Sequence, residues 1–238
     1  MRIAVVSDIH GNRTAFEAVL NDLRETSPDW ILHGGDLADG GSSPVDIIDQ
    51  VRALGWQGVV GNTDEMLYRP ESLIDFAARL PHTLQPMFAM LEKMAAFTRE
   101  AIGEGRLKWL SELPKSQIHK RIALVHATPD SPWRSVMQDN PDLEATYEIL
   151  NQPVVVYGHI HKPYIRQLNK FTIANSGSVG LPHDGDQRAS YLILDESTPT
   201  IRRVEYDVDK ELKALSTSGE PHWQWIARIL QTASPQLP

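Results

Sequence analysis

The first sixty residues alternate short apolar runs with stretches in which apolar residues recur every three or four positions. Short β-branched runs that end at polar turns are typical of buried strands, and the longer period is typical of amphipathic helices. The pattern predicts strands at 3–6, 30–32 and 59–60 and helices at 15–23 and 45–54. Repeated strand–loop–helix steps favour parallel strands joined by crossover helices, and therefore an α/β fold.

The spacing of apolar residues is different in the rest of the chain. Residues 65–114 keep helical spacing without a clear strand, which predicts a helical insertion of two or three helices. A closing helix is predicted at about 221–232. Further strands are predicted at 121–125, 154–157, 171–174 and 191–194, with an edge strand at 201–206. Because no repeat or linker interrupts the pattern, we expect one domain over 1–238.

Composition narrows the class of protein. The chain has 238 residues, 41% of them hydrophobic and 23% charged, which is typical of a globular protein. It has no cysteine, so any metal must be held by oxygen and imidazole ligands. The net charge of −8 counts against long nucleic acid as a partner. The start MRIAVVSDIHGN lacks a signal-peptide pattern, and no apolar run could cross a membrane, so we expect a cytoplasmic protein without membrane contact.

Polar side chains with metal-binding capacity follow the predicted strands. In open α/β sheets, ligands bind at the carboxyl ends of the strands, where neighbouring parallel strands lie about 5 Å apart. The candidates at these ends can therefore converge. They are Asp8, His10, Asp36, Asn62, His126, His159 and His161.

Each motif by itself has an ordinary structural interpretation. Asp8-Ile9-His10 can form a turn with Asp8 as a helix cap, and Gly61-Asn62 alone more often marks a turn than a site. A single histidine such as His126 is often a satisfied core residue. The pair His159 and His161 is more informative, because alternate residues of an extended segment point to opposite sides and can serve two neighbouring metals.

The order of these motifs resembles that of the calcineurin-like metallophosphoesterase family. D-x-H is followed by G-D, G-N, a lone histidine after a strand, and G-H-x-H, and the resemblance runs from Ile3 to about Tyr206. It is strongest to small bacterial and archaeal members, which also carry a segment similar to Asn175–Gly180. The resemblance implies a four-layer α/β/β/α sandwich of two mixed sheets flanked by helices. The insertion is then expected near the mouth of the site.

The resemblance also implies the ligand set. Asp8, His10 and His161 are expected to bind one divalent cation, and Asn62, His126 and His159 a second, with Asp36 bridging both. Mixed imidazole and carboxylate ligands suit Mn²⁺, which we expect first, or Fe, Zn²⁺, Co²⁺ or Ni²⁺, better than Ca²⁺.

The expected reaction is hydrolysis of a phosphoric ester. Two cations about 3.5–4 Å apart lower the pKa of a bridging water, and the resulting hydroxide attacks phosphorus. Asp36, Asn62 and His126 are therefore expected to be catalytic through the metals. Asn12 and Asn62 are expected to contact the phosphate.

One position departs from the family pattern. Many members read G-N-H-[DE], and their histidine assists the leaving group, whereas this chain has Thr63 after Gly61-Asn62. A hydroxyl of ordinary pKa is a poor general acid at neutral pH. We hypothesise that the enzyme prefers leaving groups needing little protonation or uses His183 as a substitute acid. Asp64 is expected to form a supporting hydrogen bond behind the ligands.

The substrate class stays open at this stage. We favour phosphodiesters, partly because the G-N-H histidine is missing; the alternatives are a phosphomonoesterase or protein phosphatase and, from another class, a metal-binding scaffold without turnover. The expected partner is a phosphorylated small molecule or nucleotide, and the oligomeric state is undetermined. Trp133 and Tyr157 are candidates to line a pocket, although packing explains them equally well. Arg134 and Arg188 are candidates to hold a phosphate, but an ordinary structural role is the first expectation for both.

Overall fold

Ten strands form two sheets in the computed structural model, which describes residues 1–237. The end of the predicted domain, Pro238, lies outside the described residues. The strands are β1 (Arg2–Val6), β2 (Trp30–His33), β3 (Gln57–Gly58), β4 (Ser116–His119), β5 (Ile122–Val125), β6 (Val154–Tyr157), β7 (Tyr164–Gln167), β8 (Thr172–Asn175), β9 (Ala189–Asp195) and β10 (Thr198–Val204).

Helices surround these sheets, and two short 3-10 turns occur at His82–Leu84 and Glu148–Leu150. The α-helices are α1 (Arg13–Thr26), α2 (Pro44–Ala53), α3 (Asn62–Tyr68), α4 (Glu71–Ala77), α5 (Gln85–Ser111), α6 (Leu143–Tyr147), α7 (Val208–Thr217) and α8 (Trp223–Thr232).

Both sheets are mixed. The first has the order β10-β9-β1-β2-β3, and the second has the order β4-β5-β6-β8-β7. In the first sheet β1, β2 and β3 are parallel, β9 pairs antiparallel with β1, and β10 pairs antiparallel with β9. In the second sheet β5, β6 and β8 are parallel and the outer strands are antiparallel. This is the four-layer α/β/β/α sandwich that the family resemblance implied.

The central strands are apolar on both faces because each sheet is covered by the other sheet on one face and by helices on the opposite face. In β1, Ile3 and Val5 pack between the two sheets, while Ala4 and Val6 pack against the outer helices. All four are fully buried. A continuous apolar run therefore replaces the polar–apolar alternation of a half-exposed strand.

The helical insertion has more elements than its spacing predicted. It contains α3, α4, a 3-10 turn and α5, and α5 is interrupted at Gly103, where φ is 69° and ψ is 169°. On α5, Met90 and Met94 pack against Ile226 and Leu230 of α8. The predicted closing helix therefore lies against the insertion.

Several boundaries differ from the prediction. The third strand was predicted at 59–60, but the paired residues are Gln57–Gly58. Val59 and Val60 instead donate single backbone hydrogen bonds to His33 and Pro114. Asn62, expected in a loop after this strand, begins α3.

The pattern also missed β4, β7, α6 and α7. None of the residues of the edge strands β4 and β7 is buried, so these strands lack the apolar run by which buried strands are recognised. Among residues 1–237, none of the helices combines the length and apolarity needed to cross a membrane.

Candidate metal centre

Four predicted ligands converge where the carboxyl ends of the two sheets meet, three from loops of the first sheet and His161 from a loop of the second. Asp8, His10, Asp36 and His161 are buried, and each offers a ligand atom within 4.8 Å of the others. Nε2 of His161 lies 3.2 Å from Nε2 of His10 and 3.1 Å from Oδ1 of Asp8. We call these four residues the first cluster.

The remaining three predicted ligands lie next to the first cluster. Oδ1 of Asn62 lies 3.0 Å from Nε2 of His126 and 2.9 Å from Nδ1 of His159. These residues form the second cluster. Oδ2 of Asp36 faces both clusters, at 3.6 Å from Nε2 of His10 and 3.4 Å from Nε2 of His126. The fold therefore brings all seven predicted side chains together.

The loops that carry these side chains use an uncommon backbone conformation. Left-handed φ values are unusual outside glycine, cost about 1–3 kcal/mol each, and concentrate at functional sites. Five of the seven residues adopt them: Asp8 (57°), His10 (49°), Asp36 (53°), His159 (65°) and His161 (55°). The sharp turns that follow the strands direct these polar side chains toward one point.

The glycines of the G-N and G-H motifs make space for the carboxylates. A Cβ atom at Gly61 would overlap Oδ1 of Asp36, and one at Gly158 would overlap Oδ2 of Asp8. Gly61 has φ −92° and ψ 172°, which any residue can adopt. The requirement for glycine at position 61 is therefore one of space and not of backbone conformation.

Backbone carbonyl groups orient three of the imidazoles. A carbonyl oxygen can only accept, so the Nδ1 atom that contacts it must carry the proton. On a neutral ring the lone pair of Nε2 then points at the centre of the site. The contacts are His10 with the carbonyl of Asp39 at 2.7 Å, His126 with Gly34 at 2.7 Å, and His161 with Leu181 at 2.6 Å.

This orientation makes the first cluster a site for a cation. The Nε2 atoms of His10 and His161 face each other at 3.2 Å, both as acceptors, with the Asp8 carboxylate beside them. Converging acceptors repel one another unless a positive charge lies between them. The donor set of imidazole nitrogen and carboxylate oxygen therefore fits a divalent transition metal.

His159 presents its other nitrogen to the site. Its Nδ1 faces Asn62, whereas its Nε2 lies 2.9 Å from Oγ of Ser135. Ser135 follows no recognisable motif and was not predicted. Only the folded loop after β5 places its hydroxyl beside the histidine.

The charges at the site favour ionised carboxylates. Burial alone would raise the pKa of Asp36, but the imidazoles of His126 and His10 outweigh burial and lower it. Burial alone would also raise the pKa of Asp8, but the imidazole of His161 outweighs burial and lowers this pKa. Burial opposes protonation of His126, but the Asp36 carboxylate outweighs burial and raises its pKa to about 9. The pKa of His159 falls to about 3 because of burial and the neighbouring His126.

Asp64 lies behind the ligands. Its carboxylate accepts hydrogen bonds from the backbone N–H groups of Asp36 at 2.8 Å, Leu37 at 2.9 Å and Gly61 at 3.0 Å. It is fully buried, and burial together with the Asp36 charge raises its pKa to about 6. This geometry connects the loops after β2 and β3.

Asn12 is engaged within the protein. Its Oδ1 accepts from the backbone N–H of Ala15 at 2.9 Å, which caps α1, and its Nδ2 donates to the carbonyl of Gly180 at 3.1 Å. The side chain is 2% exposed. The structure thus shows a capping role, and it gives no support to the expected phosphate contact.

His183 and Thr63 line a cavity of about 160 Å³ over the ligands. The His183 ring lies 4.4 Å from the His161 ring, centroid to centroid. Its Nε2 and the Thr63 hydroxyl are buried without a hydrogen-bond partner among residues 1–237. The backbone N–H of Thr63 donates to Oδ1 of Asp36 at 2.9 Å.

Apolar side chains of two helices form the opposite wall of this cavity. Leu91 and Met94 come from α5, and Trp225 and Ile229 come from α8. The sequence predicted α8 but gave no sign that it reaches the site, because its apolar face is that of any packed amphipathic helix.

Comparison with known proteins identifies the family. Residues 1–199 match the sequence profile of the calcineurin-like phosphoesterase superfamily domain. The chain belongs to this superfamily. It is a metal-dependent phosphoric ester hydrolase by class, and the predicted family is confirmed.

Relatives of this phosphoesterase cover almost all of its length. An uncharacterized protein of Methanocaldococcus jannaschii is 31% identical, over 93% of this chain and 94% of its own. Phosphodiesterase YfcE of Escherichia coli K12 is 25% identical, over 84% of this chain and 91% of its own. A metallophosphoesterase from Sphaerobacter thermophilus has 25% sequence identity and a TM-score of 0.80, covering 98% and 99% of the two chains.

The Asn175–Gly180 segment of this phosphoesterase supports the ligand loops. Nδ2 of Asn175 donates to the carbonyl of Gly158, and Oγ of Ser178 donates to the carbonyl of Asp8 at 2.7 Å. The segment therefore joins the loops after β1 and β6. Its likeness to the family pattern marked it in the sequence, but its contacts were not predicted.

The structure distinguishes which of the remaining candidates for pocket lining and phosphate binding lie near the ligands. Tyr157 is buried in the core, where its hydroxyl donates to the carbonyl of Val136 at 2.9 Å. Arg188 forms an ion pair with Asp186 at 2.7 Å and lines neither cavity near the ligands. Trp133 and Arg134 both line a second, larger cavity beside His159.

Proposed function

We propose that this phosphoesterase hydrolyses phosphodiesters with two divalent cations, one bound in each cluster, and that Mn²⁺ is the preferred metal. The observation that carries the proposal is the position of Asp36, whose Oδ2 lies 3.6 Å from Nε2 of His10 and 3.4 Å from Nε2 of His126. A carboxylate between two sets of ligands is suited to bridge two ions. Bound cations would supply Lewis-acid charge at the phosphoryl oxygens and lower the pKa of a coordinated water.

The folded protein holds the metal-ligating side chains in fixed orientations before substrate binds. The carbonyl contacts set the tautomers of His10, His126 and His161, so no ring has to rotate when a cation binds. Asp64 holds the backbone of Asp36 by a hydrogen bond of 2.8 Å. Such preorganisation is what makes electrostatic stabilisation of a transition state effective.

The region around Thr63 supports the preference for diesters. Thr63 follows Asn62, where many family members carry the histidine that assists the leaving group, and it lines the cavity over the ligands. A threonine hydroxyl donates a proton poorly at neutral pH. Leaving groups that need little protonation are therefore favoured. The name of the E. coli relative, a phosphodiesterase, agrees with this preference.

His183 is the candidate for a substitute acid. It lines the same cavity, and its Nε2 has no partner among residues 1–237. Burial together with the neighbouring His161 lowers the pKa of His183 to about 2, so the ring is neutral at pH 7 and an acid role requires that bound substrate raise this pKa. The pH–rate profile of His183→Ala tests this role. An unchanged alkaline limb would remove His183 from the mechanism.

The decisive experiment compares two synthetic esters. Metal-stripped protein is assayed with bis-p-nitrophenyl phosphate and p-nitrophenyl phosphate, with and without Mn²⁺, alongside Asp36→Asn. Asp209→Asn, an exposed change in the first turn of α7, is the matched control. We expect Mn²⁺-dependent hydrolysis of the diester that is lost in Asp36→Asn only.

The alternative outcomes separate the rival functions. Faster hydrolysis of the monoester would replace the diesterase proposal with a phosphomonoesterase or protein phosphatase. Mn²⁺ binding without turnover of either ester, with any of the candidate metals, would favour a metal-binding scaffold.

A further inference from the structure

A cavity of about 640 Å³ lies next to the metal centre. Its walls come from α3, α4 and the residues that follow each of these helices, from Lys115, and from the loop 130–135 after β5. Small-molecule sites measure about 300–1,000 Å³, so this space can hold a ligand the size of a nucleotide. We call it the side cavity.

The side cavity adjoins the second cluster directly. Ser135 lines it, and the Oγ of Ser135 lies 2.9 Å from Nε2 of His159. Glu65 lines the same space one helical turn after Asn62. A substrate with its scissile phosphate at the clusters could therefore extend into the side cavity.

Two cations of the side cavity have no acidic partner within 4.0 Å among the described residues: Arg79 and Lys115. The other two are paired, Arg69 with Glu65 at 2.7 Å and Arg134 with Asp130 at 3.0 Å. The remaining acid of the lining is Asp75, which is exposed. In a chain of net charge −8, two uncommitted cations in one cavity suit an anionic group of a ligand.

An aromatic pair lies in the same wall. The rings of Trp133 and Phe76 lie 5.1 Å apart, centroid to centroid, at an angle of 38°. Nε1 of Trp133 donates to Oε2 of Glu65 at 2.6 Å, which fixes the ring. A fixed aromatic ring that is half-exposed offers a stacking surface to a planar ligand, and nucleobases stack on such rings.

We propose that the side cavity binds a nucleotide portion of the substrate, with the base against Trp133 and Phe76 and a second phosphate at Arg79 and Lys115. This inference rests on the proposed phosphodiesterase function and names its substrate class, a nucleotide diester that carries a further phosphate. Water adds across the scissile ester: its oxygen bonds to phosphorus, the P–O ester bond breaks, and the leaving oxygen takes a proton.

The kinetic test varies the second phosphate. The 5′-phosphorylated dinucleotide pApA and the same dinucleotide without that phosphate, ApA, are compared in the Mn²⁺-loaded wild type and in Arg79→Ala/Lys115→Ala. Both positions are exposed, so the substitutions should not disturb folding. Lys213→Ala, an exposed change on α7, is the control.

We expect wild-type kcat/KM to favour pApA over ApA by about tenfold or more, as charge-assisted hydrogen bonds predict. The double variant should lose this preference through KM, whereas Lys213→Ala should keep it. No preference in the wild type, or the same preference in the double variant, would overturn the inference.

A binding test needs no metal. Tryptophan fluorescence of the metal-stripped protein is titrated with 5′-AMP, and the quench should be lost in Trp133→Phe and the affinity should fall in Arg79→Ala/Lys115→Ala. Saturable binding that neither variant alters would place AMP elsewhere and overturn the inference. Absence of saturable binding to the wild type would overturn it as well.

The two proposals fail in different ways. Hydrolysis of bis-p-nitrophenyl phosphate without a pApA preference rejects the side cavity alone. No hydrolysis of any ester, with AMP binding that depends on Trp133, rejects the proposed function and leaves the nucleotide site.

Discussion

The carboxylate of Asp64 accepts a hydrogen bond of 2.8 Å from the backbone N–H of Asp36. Asp64 belongs to the first turn of α3, whereas Asp36 lies in the loop after β2. The same carboxylate binds the N–H groups of Leu37 and Gly61. One buried side chain therefore holds in place the loop whose carboxylate faces both clusters.

Removing this support should weaken both the fold and the metal site. Asp64→Ala leaves three N–H groups without their acceptor, and each unsatisfied buried group costs about 1–3 kcal/mol. We expect the free energy of unfolding in urea to fall by about 3 kcal/mol or more, and Mn²⁺ affinity to fall with it. Asp209→Ala, exposed in the first turn of α7, is the control. Equal stability of the two variants would show that the three contacts are dispensable.

Gly61→Ala tests the space requirement beside Asp36. The added Cβ would overlap Oδ1 and the backbone nitrogen of Asp36, although the backbone conformation at Gly61 tolerates alanine. Overpacking costs about 1–3 kcal/mol, and we expect that loss in urea unfolding, with Mn²⁺ affinity reduced about tenfold or more as Asp36 is displaced. Gly105→Ala is the control, because nothing lies within 4 Å of its added Cβ. Normal metal affinity in Gly61→Ala would contradict the argument.

Thr63→His should broaden the range of leaving groups. The substitution restores the G-N-H-D pattern at the cavity that Thr63 lines. General acids contribute about 10²–10⁴-fold when well placed, so even a poorly placed imidazole should speed hydrolysis of phenyl esters about tenfold. Rates for p-nitrophenyl esters, which need little protonation, should change far less. Thr63→Val, which removes the hydroxyl alone, is the control; equal effects of both variants on phenyl esters would refute the acid role.

Divalent metals should raise the melting temperature. A ligand at about 100 times its Kd stabilises the native state by about 2.7 kcal/mol, which corresponds to about 5–10 °C for a chain of this size. The shift with Mn²⁺ should shrink in His161→Ala and in His126→Ala. His119→Ala, on the edge strand β4, should keep the full shift. A full shift in both ligand variants would place the metal elsewhere.

Glu220 is expected to make stability depend on pH. It is 2% exposed, and burial together with Asp39 raises its pKa from 4.5 to about 8. The folded state then keeps a proton that the unfolded state loses, so this group's contribution falls as the pH rises from about 4.5 to about 8. Glu220→Gln stays neutral in both states and should melt above the wild type by a margin that grows over this interval.

The control for Glu220 is Glu100→Gln, an exposed change on α5. Thermal melts of the three proteins at several pH values measure the margin. A constant difference between Glu220→Gln and the wild type across the interval would contradict the proposed proton uptake.

The candidate site was more predictable than its surroundings. Asp8 and His161 are 153 positions apart in the chain, yet each lies within four residues of the end of a buried apolar strand. Because ligands bind at the carboxyl ends of central parallel strands, each residue is expected at the rim of its own sheet. Asp8 follows β1 of the first sheet and His161 follows β6 of the second, and the packing of the two sheets brings these rims together. The edge strands β4 and β7 could not be predicted in the same way. Their exposed residues do not repeat with a clear period, and only pairing with β5 and β8 makes them strands.

The α/β class, the family and the identity of the seven converging side chains could be predicted from the sequence, because strand periodicity and motif order can be read along the chain. The tertiary structure alone decided what surrounds them. Asp64 reaches Asp36, Ser135 reaches His159, and Trp225 of α8 closes the cavity through contacts between distant segments. Such contacts depend on how helices pack on the sheets, which no spacing of residues along the chain encodes.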